Sequence, residues 1–196
     1  MAVELVVVGT SLGGLSALEI VLGGLPDHFP LAIVVVQHRG IDPNDILSLV
    51  LQVHCALPVS EPDDKEPIEG GRIYVAPADY HLLVERGSFA LSTEPKVSHA
   101  RPSIDVLFES AADSYRRALI GVILTGANAD GARGLARVKA RGGLTVVQAP
   151  ATAECAVMPE AAIAATAVDR ILPLAEIPGF LVQRCAVSRG SGEPRQ

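Results

Sequence analysis

Three stretches of the sequence hold residue types that together could carry out acyl transfer. The first is Gly9-Thr10-Ser11-Leu12-Gly13-Gly14, a Gly-x-Ser-x-Gly run that directly follows Leu5-Val6-Val7-Val8. On a strand-turn-helix, such a run lifts a serine hydroxyl out at the head of a helix. The unpaired N–H groups of that helix end can then face a developing oxyanion. The same loop also reads as a tight structural turn, its glycines permitting close backbone packing, or as an anion site. A dinucleotide fingerprint would need Gly where Ser11 stands. The second stretch, Gln37-His38-Arg39-Gly40, ends an apolar run and offers an imidazole as base. His28, His54 and His81 read as loop or helix-end residues, His99 lies in an irregular stretch, and none of them ends a parallel strand. The third, GANADGARG at 126–134, carries Asp130, either as the carboxylate that orients a histidine or as the cap of a helix starting at Gly131. Serine, histidine and aspartate on three such loops are the parts of a nucleophile–base–orienter triad, which is recognised by geometry and not by chain order.

Those loops meet only if the elements before them are neighbouring parallel strands. Short β-branched runs alternate with helical patterns, the mark of a parallel sheet covered on both faces. Strands are predicted at 5–8, 31–36, 119–124, 144–147 and 170–172. Helices are predicted at 15–25, 46–53 (opened by Asp42-Pro43), 104–116, 131–140, around 160–165, and in a last segment through Phe180. Ligands of open parallel sheets bind beyond the carboxyl ends of the strands, where all three loops would lie. Residues 57–93 show no helical period. Within them, 72–76 and 82–91 read as strands, with Arg86-Gly87 as a hairpin turn, and this region is expected to form an antiparallel insert on one sheet edge. The composition of 188–196, SRGSGEPRQ, predicts a solvated, flexible tail, leaving 1–187 as one catalytic domain.

Bulk properties narrow the function classes. With 49% apolar and 19% charged residues, the 196-residue chain is not a disordered protein. A net charge of −6 argues against nucleic acid as the main partner, because phosphate backbones demand dense cationic surface. Cys55, Cys155 and Cys185 are odd in number and lack CxxC spacing, so they read as buried thiols in a reducing compartment. No run approaches the roughly 18 to 20 apolar residues of a membrane span, and the first residues lack a basic leader. The expectation is a cytoplasmic protein with nothing preceding this domain and no membrane insertion.

On these residues the sequence resembles the catalytic domain of the chemotaxis protein-glutamate methylesterase family (CheB), from Val3 to about Val182. The resemblance is carried by GTSLGG at 9–14, QH at 37–38, RIYVAP at 72–77, RPSIDVLF at 101–108, GVILTGANADGARG at 121–134 and MPEA at 158–161. It implies an α/β fold, a Rossmann-like doubly wound, mainly parallel sheet of about seven strands with the antiparallel β-hairpin insert. By position it implies Ser11 as nucleophile, His38 as base and Asp130 as the residue that orients it, with no metal or cofactor. The substrates implied are methylated glutamates of methyl-accepting receptors, with glutamine deamidation as a second activity. A cognate receptor methyltransferase would belong to the same pathway. The N–H groups of Leu12 and Ala127 are the candidates for the oxyanion hole, and Arg39, Arg133 and Arg101 for a basic approach to an acidic receptor. The chain resembles a stand-alone form without the receiver domain of the regulated members. Leu12 replaces a usual Thr, and Ala127-Asn128-Ala129 replaces a usual Met-Gly-Asn; Asn128 is expected to take the left-handed conformation of that Gly. Two rivals remain at this point: a non-catalytic signalling adaptor, and an anion- or dinucleotide-binding module of the same fold.

Overall fold

The computed structural model describes residues 2–40 and 46–189, with side chains through residue 185. In chain order its strands are β1 (Leu5–Thr10), β2 (Ala32–Gln37), β3 (Val59–Ser60), β4 (Ile73–Val75), β5 (His81–Glu85), β6 (Ser88–Ser92), β7 (Leu119–Ile123), β8 (Leu144–Gln148) and β9 (Arg170–Leu172). The helices are α1 (Gly14–Gly23), α2 (Leu47–His54), α3 (Ile104–Tyr115), α4 (Ala132–Ala140), α5 (Val157–Ala165) and α6 (Ile177–Arg189). Seven strands form one parallel sheet in the order β3-β4-β2-β1-β7-β8-β9. From β1 the chain passes through β2 to the edge strand β3 and back inward to β4, then returns to add β7, β8 and β9 on the other side. The order therefore reverses between β1 and β7, and the crevice at their carboxyl ends is where an open sheet binds its ligand.

Strand periodicity divides the core into two layers. Leu5 and Val7 point to one face with Ile104, Phe108, Leu135 and Met158; Val6 and Val8 point to the other with Leu18, Val21, Leu51 and Leu181. All six residues of β1 are buried, which is why this strand reads as a continuous apolar run. Each such side chain contributes roughly 1.5–3 kcal/mol by leaving water. Gly9 allows α3 to lie close over β1, since a Cβ there would stand 2.3 Å from Ile104 Cγ2.

The region 57–93 departs from expectation. The strand at 72–76 is β4, a parallel member of the main sheet between β2 and β3, and β3 was not foreseen at all. The antiparallel pair β5–β6 is a separate two-stranded sheet and not an edge insert. It packs on α3, where Ser110 and Ser114 hydroxyls bond to the Val84 backbone and the Tyr115 hydroxyl accepts from Gly87 N–H. Leu82, Val84 and Phe89 enter the core on that side. His81 is therefore a buried strand residue and not a loop residue.

The predicted helix opening at Asp42-Pro43 lies outside the described residues. Helix α6 runs to Arg189, so the boundary expected at 187 falls inside a helix, and residues 190–196 lie outside the described ones. Cys55 and Cys185 are buried, the burial pushing Cys55 up to about 11, whereas Cys155 is only partly buried. Among the described residues, no helix is long and apolar enough to cross a membrane.

Candidate active site

The loop after β1 is tied down from both sides. The Thr125 carbonyl, beyond the end of β7, accepts hydrogen bonds from Ser11 N–H (3.0 Å) and the Thr10 hydroxyl (2.8 Å). The Thr125 hydroxyl donates to Leu12 O at 2.9 Å and accepts from Cys155 N–H. On the other flank Gln37 Nε2 donates to the carbonyls of Ser11 (2.8 Å) and His38 (3.2 Å), so one side chain spans the two loops. Gly13 has φ +75 and caps α1, while a Cβ on Gly14 would stand 2.0 Å from Gln37 Oε1. The glycines are thus required by a turn and by a close approach. They leave Ser11 at the lip of two clefts of about 410 and 370 Å³, both also lined by His38.

His38 leaves the end of β2, its backbone N–H still bonded to Thr10 O, and its ring bridges to the loop after β7. Nε2 lies 2.7 Å from Asp130 Oδ2. Asp130 is fully buried and accepts three further bonds, from Ser103 Oγ, Ile104 N–H and Asp105 N–H at 2.9, 2.7 and 3.0 Å. Burial alone would raise its carboxyl, but the bonds from His38 and the two amides outweigh it and hold the carboxyl below its ordinary value. Acceptor-only, Asp130 receives the Nε2 proton and leaves Nδ1 as the ring's lone-pair nitrogen.

The alternative reading of Asp130, as the cap of the helix following it, does not hold. Gly131 occupies the cap of α4 without a side-chain bond, and Asp130 instead caps α3. The cap of α4 comes from Asp105 in the first turn of α3, whose Oδ1 accepts from Gly131 N–H (2.9 Å) and Gly134 N–H (2.7 Å). Burial pushes the Asp105 carboxyl up, the Gly134 amide opposes this, and the Asp130 charge adds to it. The two aspartates exchange helices and lock α3 against α4. Neither Ser103 nor Asp105 was singled out as a site residue, although both lie in the RPSIDVLF block.

The remaining candidates divide. Among the described residues the N–H groups of Leu12 and Ala127 have no hydrogen-bond partner, as an oxyanion hole requires. Asn128 is absent from the residues with positive φ, so the expected left-handed conformation is not adopted. Arg39 and Arg101 line the 370 Å³ cleft but are tied to Glu61 (2.6 Å) and Asp79 (2.6 Å). Arg133 pairs with Glu109 at 2.6 Å and Asp105 at 3.7 Å and lines neither cleft. One wall was missed by sequence reasoning: residues 96–102, bent by a tight turn in which Ser98 and His99 both have positive φ and Val97 and Ala100 exchange backbone bonds. Lys96 and His99 line the cleft from this wall.

The family model described as CheB methylesterase matches residues 6–181. A putative protein-glutamate methylesterase/protein-glutamine glutaminase of Leptospira interrogans is 47% identical over 184 residues, covering 93% of this chain and 95% of that protein. A protein of Anaeromyxobacter dehalogenans carrying the methylesterase/glutaminase name is 45% identical, but the match spans only 52% of its length. The crystal structure of the Thermotoga maritima CheB methylesterase catalytic domain superposes with a TM-score of 0.88 at 34% identity, covering 93% of this chain and 99% of that one. With a family model over nearly the whole chain, a full-length relative and a matching fold, the chain belongs to the CheB methylesterase family.

Proposed function

We propose that the chain is a protein-glutamate methylesterase/protein-glutamine glutaminase that works through Ser11, His38 and Asp130. The observation that carries the residue assignment is the 2.7 Å bond between His38 Nε2 and Asp130, which leaves Nδ1 to serve the cleft that Ser11 also lines. Nδ1 takes the Ser11 proton as Oγ attacks the γ-carbonyl of a glutamate methyl ester. The tetrahedral oxyanion is met by the Leu12 and Ala127 N–H groups, a single such donor being worth roughly 3–4 kcal/mol. The C–O bond to methanol breaks as Nδ1–H protonates it. Water, deprotonated by the same nitrogen, then attacks the acyl-enzyme, and glutamate is released as the proton on Nδ1 passes to Ser11 Oγ. A glutamine side chain would follow the same path with ammonia as leaving group. In the resting geometry the Ser11 hydroxyl makes no bond to the ring, and such bonds commonly tighten only with substrate.

The substrates proposed are methylated glutamates on methyl-accepting receptors. A receptor methyltransferase is the opposing enzyme, and the setting is cytoplasmic. The test is methanol release from methylated receptor by Ser11→Ala: a loss of about 10⁴- to 10⁶-fold with an unchanged circular-dichroism spectrum is expected. Near-normal turnover would remove Ser11 from the reaction.

A further inference from the structure

Asn128 makes a contact that the proposed mechanism does not use. Its Nδ2 lies 3.3 Å from His38 Nδ1, the nitrogen that must receive the Ser11 proton. Its amide orientation is set independently, because Oδ1 accepts the Asp130 backbone N–H at 3.1 Å and so turns the NH₂ group toward the ring. The ring orientation is set as well, by the bond between Nε2 and Asp130. Nδ1 is therefore an acceptor and Asn128 its donor.

We infer that Asn128 is a positioning residue that occupies the Nδ1 lone pair in the resting site and must release it as Ser11 is deprotonated. The inference rests on the proposed roles of Ser11 and His38. The balance is simple: the O–H bond of Ser11 breaks, an N–H bond forms at Nδ1, and the new N–H then faces the Asn128 NH₂, donor against donor. The favourable contact becomes an unfavourable one at the moment the base acts. Asn128 lines the same cleft as Ser11, and the amide is released as the proton moves to Nδ1, so its cost falls on the chemical step. Ring alignment does not depend on Asn128, because the shorter, charge-assisted bond to buried Asp130 holds the imidazole. Asn128 is accordingly a restraint on the base and not its support.

The experiment combines steady-state methanol release from methylated receptor with ¹⁵N spectra of histidine-labelled protein, for the wild type, Asn128→Ala and Asn128→Asp. For Asn128→Ala, kcat should rise about three- to sixfold, the value of one weak neutral hydrogen bond, with KM unchanged. The Nε2–H tautomer should persist, and the Nδ1 resonance should move to that of a nitrogen without a donor. Asn128→Asp replaces the donor with an acceptor, should draw a proton to Nδ1, and should lower kcat at least tenfold. An unchanged or lowered kcat for Asn128→Ala, or an unmoved Nδ1 resonance, would overturn the inference. Since Asn128 has no positive φ, alanine fits its backbone and the variant should fold; the spectra report the contact even if the Asp variant does not fold. Failure of the underlying reading looks different: Ser11→Ala would keep its turnover, whatever the Asn128 variants do.

Discussion

In the proposed mechanism Asp130 serves both the reaction and the fold, and this separates it from Ser11 and His38. Four donors meet its two oxygens: the His38 ring, two α3 amides and the Ser103 hydroxyl. Asp130→Asn keeps one acceptor oxygen and sets an NH₂ group against at least one of these donors. A fall in kcat of about 10⁴-fold is expected, the range for loss of the orienting carboxylate. A loss of roughly 1–3 kcal/mol in stability should accompany it, because a buried donor is left without a partner. The pH dependence has a definite sign. The folded-state carboxyl titrates below its unfolded value, so its stabilisation is complete above about pH 4 and is lost as the pH falls through the folded value. Urea titrations between pH 2 and pH 7 check this: the gap between wild type and Asp130→Asn should narrow at the acid end. A constant gap would mean that the carboxylate's charge contributes nothing to the fold.

At the scale of elements, the joint between α3 and α4 is what holds Asp130, the third member of the proposed triad, in place. Asp105 fixes the start of α4 through Gly131 and Gly134, and so the end of the loop that carries Asp130. Close packing reinforces the joint, since a Cβ on Gly134 would come within 3.1 Å of the α3 backbone at Asp105. Removing a helix cap costs about 0.5–2 kcal/mol, and a domain of this size shifts about 2–4 °C per kcal/mol. Asp105→Ala is therefore expected to lower Tm by roughly 1–8 °C and to slow turnover through displaced Asp130. Asp105→Asn keeps the accepting Oδ1 and discards a buried charge beside Asp130, so it should lose less. Because the Asp105 carboxyl is raised in the fold, its ionisation is unfavourable there. The stability of Asp105→Asn relative to wild type should improve as pH rises through the ordinary carboxylate range near 4; calorimetry at pH 4 and pH 7 decides it. This joint was not legible in the sequence, whereas β1, β2, β7 and their loops were. Val6-Val7-Val8 and Ile33-Val34-Val35-Val36 announce themselves by unbroken apolar character, and a strand end followed by Ser11 or His38 places the residue without further information. Asp130 capping a helix that begins 26 residues earlier leaves no local pattern, because the bond is made by tertiary approach. The two-residue strand β3 shows no periodicity either, and the parallel placement of β4 and β3 is decided by tertiary neighbours, β2 for β4 and β4 for β3.

Across the whole molecule the charge is −6, and the proposed receptor substrate becomes more acidic with each ester cleaved. Long-range repulsion would slow encounter unless the cleft mouth were locally positive. The arginines do not supply this in the way their sequence positions suggested. Arg133 is neutralised by Glu109 away from the clefts, and Arg39 and Arg101 are paired with Glu61 and Asp79. Arg86, Arg116, Arg117 and Arg141 gather around a separate cleft at the amino edge of the sheet, the side opposite Ser11. The cation left at the mouth is Lys96, which is exposed, lines the cleft shared by Ser11 and His38 and has no ion-pair partner among the described residues. Charge steering depends on such an unpaired group, because an exposed pair has already spent most of its field on its partner. Lys96→Glu should therefore lower kcat/KM on methylated receptor roughly three- to tenfold at about 10 mM salt, where charges are felt over about 30 Å. The loss should fade at about 150 mM, where the screening length is near 8 Å, and turnover of a small neutral ester should not change. Arg133→Glu, outside the clefts, should leave the salt dependence as it is. Equal losses on both substrates would place Lys96 in the catalytic scaffold, and a loss that persists at high salt would mean direct contact with the receptor in place of steering.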